Sequence, residues 1–82
     1  MNTVISILEA HYLSDYTIEF TFSDGLRRQI DFGEFLKKSK NPMTRKYLDK
    51  HLFQSFSLDH GDIMWNDFEM CFPIWDLHEG SI

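Results

Sequence analysis

The stretch YTIEFTFSDGLRRQIDF, residues 16–32, decides the fold class. In its first half Tyr16, Ile18, Phe20 and Phe22 alternate with Thr17, Glu19 and Thr21, the two-residue period of a strand that buries one face. Ser23-Asp24-Gly25 then supplies turn chemistry, because Asp-Gly adopts the positive φ angles of a tight hairpin at little steric cost. In the second half Leu26, Arg28, Ile30 and Phe32 share one parity. Only Arg28 is out of character there, and a long arginine stem can lie along a sheet while its head stays in water. A β-hairpin is expected.

On the N-terminal side, the β-branched run TVISILEA reads as a strand over residues 3–10 that ends before the turn-like LSD. Three antiparallel strands joined by short turns thus occupy residues 3–32. On the C-terminal side the period changes. Phe32, Phe35 and Leu36 follow helical spacing with Glu34, Lys37 and Lys38 outward, and this helix ends by Asn41-Pro42. A second helical stretch follows, with Thr44 as cap and Tyr47, Leu48, His51 and Leu52 on one side.

Alternation returns with Phe56 and Leu58, turns at His60-Gly61-Asp62, and resumes with Ile63 and Trp65 as a second hairpin. Pro73 cannot donate a ladder hydrogen bond, so strand pairing ends before it, and IWDLHE forms a closing helical turn. The expected architecture is one α+β domain with an antiparallel sheet, in the order βββ-α-(α)-ββ with a short C-terminal helical turn. Its core is assigned to Tyr16, Ile18, Phe20, Phe22, Ile30, Phe35, Leu36, Phe56, Ile63 and Trp65.

The 82 residues suit one core, and the aromatic fraction of 16% supplies it with large rings. A single cysteine, Cys71, excludes an internal disulfide framework and any all-cysteine metal site within one chain. A reducing cytoplasm is the expected location. The start lacks a basic leader, and Glu9 and His11 interrupt its apolar run well before a spanning length of about 20 residues. Neither a signal peptide nor a membrane helix is expected.

The order of these pieces carries a resemblance. Phe22-Ser23-Asp24-Gly25 with Arg28 and Asp31 comes first, then Phe53, Gly61, Ile63 and Trp65, then Phe72-Pro73-Ile74 and Leu77. The chain resembles the small bacterial family catalogued as domain of unknown function 2442. That resemblance implies an α+β domain with an antiparallel sheet and no established activity. It also implies that some members carry a following helix-turn-helix domain, and that others are encoded beside a second small protein in toxin–antitoxin-like pairs. With the chain ending at Ile82, a repressor role is not expected to carry over. Where relatives often place a glycine-containing turn and an aspartate after the tryptophan, this chain has Trp65-Asn66-Asp67-Phe68-Glu69-Met70, in which Asn66-Asp67 still makes a tight turn.

The candidate chemistry is sparse. MWNDFEMCFPIWDL, residues 64–77, gathers both tryptophans, the cysteine and three acidic groups. Cys71 has no basic neighbour in sequence to hold it as thiolate, and reads as a small buried hydrophobe. His11, His51, His60 and His78 lack ligand spacing, and Asp59-His60-Gly61-Asp62 reads as a hairpin tip. Asp31 and Glu34 suit the positive end of the first helix. No catalytic, cofactor or metal site is assigned, and the chain is read as no enzyme.

Charge is the strongest remaining pattern. All eight Lys and Arg lie between Arg27 and Lys50, with acidic segments on both sides. Arg27, Arg28, Lys37, Lys38, Arg45 and Lys46 form a candidate interaction surface, to which Trp75 belongs if it is exposed. A protein partner or a second copy of the chain suits such charge segmentation. Nucleic-acid association through residues 27–50 is the alternative, opposed by the acidic flanks. A metal- or carboxylate-dependent enzyme ranks below both.

Overall fold

A computed structural model describes residues 5–66, 70–80 and 82. The first three strands are β1 (Ile7–Ser14), β2 (Thr17–Phe22) and β3 (Arg27–Asp31), antiparallel in the order β1-β2-β3. The hairpin expected from residues 16–32 forms with Ile18 opposite Ile30 and Phe20 opposite Arg28. Its loop is Ser23-Asp24-Gly25, closed by Phe22 N–H to the Leu26 carbonyl at 2.8 Å, with Gly25 at φ 93°. That is a three-residue hairpin loop with a glycine in the left-handed region.

β1 lies later than the sequence suggests. It runs through Leu13 to Ser14, and the turn uses Asp15 at φ 46°. Thr3 and Val4, the start of the expected strand, lie outside the described residues. The shift is accommodated by register breaks between Ile7 and Glu9 and between Tyr12 and Ser14, which leave Leu8 and Leu13 exposed.

The helical section begins with α1 (Gly33–Lys38), where Asp31 Oδ1 accepts the Gly33 N–H at 2.8 Å. In place of one further helix, the chain makes three short pieces: α2 (Pro42–Arg45), a 3₁₀ turn (Lys46–Leu48) and α3 (Lys50–Phe53). Thr44 is not the cap. Asn41 is, its side chain accepting from Met43 N–H at 2.9 Å, with Pro42 in the first helical position. Asp49 breaks the run by turning extended (φ −70°, ψ 115°) and capping the next helix through the His51 N–H. The break rotates the expected face, so Tyr47 and Phe53 are buried while His51 and Leu52 are exposed.

The second sheet has β4 (Ser57–Asp59), β5 (Asp62–Trp65) and β6 (Met70–Cys71), antiparallel in the order β4-β5-β6. His60 and Gly61, at φ 52° and 85°, form the two-residue hairpin turn with positive φ at both positions. Asp67, the second residue of the expected Asn66-Asp67 turn, lies outside the described residues; Asn66 adopts φ 45°. Strand pairing ends at Cys71, and Pro73 precedes α4 (Ile74–Glu79).

The α+β class is therefore confirmed, with two three-stranded sheets where one was expected and with helical pieces between them. The sheets join where Ile7 N–H donates to the Gly61 carbonyl at 2.8 Å. Their common core is centred on Trp65, whose ring packs against Phe32, Tyr47, Phe53, Phe56 and Phe72 at centroid distances of 5.8–6.2 Å. Its indole N–H is satisfied by the Phe53 carbonyl at 2.7 Å, as a buried indole requires.

Of the ten expected core residues, Ile18, Phe20, Phe22, Ile30, Leu36, Ile63 and Trp65 are buried. Tyr16 and Phe56 are half-buried and Phe35 is exposed. Tyr16 is held at the edge because its hydroxyl donates to the Leu48 carbonyl. Phe35 loses its place to Phe32, which supplies the buried ring at the head of α1.

Candidate interaction surface

α4 places the functional candidate. Leu77 turns inward and is fully buried, Ile74 is half-buried, and the opposite side carries Trp75, Asp76 and Glu79 to the surface. Trp75 is 45% exposed, an unusual position for the residue type with the largest apolar surface. The stretch MWNDFEMCFPIWDL thus divides: Trp65, Met70 and Phe72 close the core, Met64 is half-buried, and Trp75 does not belong to it.

The helix that presents Trp75 is clamped at its C-terminal end. His78 Nε2 lies 2.8 Å from Asp24 Oδ2, tying α4 to the β2–β3 turn. The His78 ring sits edge-on between Phe22 at 5.0 Å and Trp75 at 5.3 Å. Asp24 is itself set by the turn, its Oδ1 accepting the Leu26 N–H at 3.0 Å. That backbone bond first, and His78 second, hold the Asp24 carboxyl below the usual aspartate range. Arg28 completes the clamp: its Nε donates to the His78 carbonyl at 2.6 Å. Gly80, at φ 76°, ends the helix where a side chain would press within 3.2 Å of the Arg28 stem.

Several of the basic residues make contacts within the chain. Arg28 is turned inward to cap α4. Arg45 Nη1 donates to the Lys37 and Ser39 carbonyls at 2.7 and 3.2 Å, closing the end of α1. Lys38 pairs with Glu34 one turn earlier, and Lys46 lies 5.4 Å from the Tyr47 ring centroid. Lys50 bonds Asp15 at 2.8 Å, which lowers the aspartate's pKa and raises the lysine's. Arg27, Lys37 and Lys40 remain as exposed cations, on β3, on α1 and between α1 and α2 respectively. The Glu34–Lys38 pair had a local signal in its i,i+4 spacing; the carbonyl-capping roles of Arg28 and Arg45 have no signature in sequence.

Other candidates resolve differently. Cys71 is exposed, contrary to the expectation of a buried thiol, because in the two-residue β6 it is Met70 that faces the core. A cleft lined by Asp15, Asp31, Glu34, Lys37 and Lys50 gathers carboxylates from the β1–β2 turn, the end of β3 and α1. Within it Asp31 is taken by Gly33 N–H and Asp15 by Lys50. His60 and His11 lie on separate hairpins, each beside one carboxylate. Among the described residues no group of three or more His, Cys, Asp or Glu side chains is placed to hold a metal ion, and no helix is long and apolar enough to cross a membrane.

Comparison with the curated proteins and with the solved structures gives no match. The family described as Protein of unknown function (DUF2442) matches over residues 7–79, from the first residue of β1 to the last of α4, and the chain belongs to that family.

Proposed function

We propose that this chain is a non-enzymatic protein-interaction module, one half of a two-protein pair of the toxin–antitoxin-like kind, working in the cytoplasm. The observation that carries this reading is Trp75, exposed and yet braced against His78 on a helix fixed at its C-terminal end. An aromatic anchor whose support is ordered before binding loses little side-chain freedom on association, and tryptophan is enriched among residues that dominate binding energy. Asp76 and Glu79 flank it on the exposed face. The complementary partner is a small protein with an apolar pocket rimmed by basic groups.

Nucleic-acid association draws less support, because Arg28, Arg45 and Lys50 already serve bonds within the fold. Co-expression with the product of the adjacent gene, followed by native mass measurement, tests the proposal. A stoichiometric complex of the two chains is expected. Recovery of this chain without that product, under conditions in which both are folded, contradicts it.

A further inference from the structure

We infer that β3 is a self-pairing edge, so that two copies of this chain join antiparallel through Arg27–Asp31 and extend the first sheet across a twofold axis at Gln29. This rests on the sheet and is independent of Trp75.

Among the described residues four strands lie at sheet edges, and three are poor templates. β1 has two register breaks, and β4 and β6 have three and two residues. Bulges and shortness are the ordinary devices that blunt an edge against pairing. β3 has neither: its five residues pair with β2 in unbroken register. Among the described residues, Arg27–Asp31 make no backbone hydrogen bond outside that ladder.

The direction of the free groups follows from the ladder. Phe22 N–H donates to Leu26 and Phe32 N–H donates to Tyr16, which sets the even-numbered residues of β3 toward β2. The N–H and C=O of Arg27, Gln29 and Asp31 therefore point away from β2, and all three residues are exposed. Turning a second copy about Gln29 places Arg27 opposite the second copy's Asp31 at both ends and the two Gln29 side chains opposite each other. About six backbone hydrogen bonds form in that register, with oppositely charged cross-strand pairs on one face. Arg27 has no ion pair within its own chain among the described residues, and Asp31 uses Oδ1 for Gly33, leaving Oδ2 for a partner. A register moved by two residues loses one backbone pair and sets Arg27 opposite Gln29, so the charges select the centred arrangement.

The test combines sedimentation across concentration with amide hydrogen exchange. A monomer–dimer equilibrium is expected, in which slowed exchange appears with rising concentration at the amides of Arg27, Gln29 and Asp31. Gln29→Pro removes an outward N–H that β2 does not use, and should abolish the dimer. Arg27→Glu sets like charges opposite each other at both ends, and should weaken it roughly tenfold or more. Both variants should keep the wild-type circular dichroism, which shows that the sheet still folds. A monomer at all concentrations overturns the inference. So does a dimer that keeps its affinity in both variants or slows exchange elsewhere but not at β3. A wild-type chain that stays monomeric at all concentrations yet binds the adjacent gene's product refutes the pairing and leaves the Trp75 reading intact.

Discussion

Trp65 and Gly61 show how much one residue settles in a chain of this size. Trp65 buries its indole against five aromatic rings and donates to the Phe53 carbonyl at 2.7 Å. Trp65→Phe keeps a ring but leaves that carbonyl without its donor and opens a gap in the packing. We expect a loss of about 2–4 kcal/mol in urea unfolding. A loss within experimental error contradicts the role assigned to the bond. At Gly61 the second hairpin meets β1, where an added Cβ would lie 2.4 Å from the Ser6 Cβ with the backbone at φ 85°. Gly61→Ala therefore strains the turn and separates the sheets, costing about 1–3 kcal/mol and visible as a lower thermal midpoint. Both residues were legible as members of a strand and a turn. Their partners, Phe53 and Ser6, were not, because contacts between distant segments leave no local period.

Elements built on strict alternation were legible, and those governed by caps were not. Tyr16–Phe22 had four matching positions and a glycine turn after it, and the strand and its hairpin formed as the pattern demands. The stretch after Asn41 had helix formers and apolar spacing, yet Asp49 inside it bonds a backbone N–H two residues on, as Asn41 does at its start, and divides it. Such side-chain bonds compete with helix continuation. The α4 clamp gives an element-scale prediction with a pH signature. Because the Asp24 carboxyl is held below its usual range by Leu26 N–H and then by His78, its ionised form favours the folded state. That contribution is present above the unfolded aspartate's pKa and is lost as pH falls through the folded one. Asp24→Asn should unfold at lower urea than wild type at pH 7, with the difference closing as the pH drops below the ordinary aspartate range. A gap of equal size at both ends of that range contradicts the clamp.

Across the whole molecule, the charge segmentation of the sequence coexists with work inside the fold. The middle segment supplies cations to three internal tasks: the end of α4, the end of α1 and the β1–β2 turn. Trp75 shows the opposite relation. Its neighbours in sequence suggested either core or interface, and only the packing of Leu77 inward turns it outward. A helix of six residues offers too few positions for its period to decide which face is buried. On the proposed reading Trp75 anchors a protein partner while contributing little to the fold. Titration calorimetry with the co-expressed partner, comparing wild type with Trp75→Ala at matched thermal stability, tests it most directly. A loss of about 2 kcal/mol or more in binding, some thirtyfold in Kd, is expected. Unchanged affinity in the variant would contradict it.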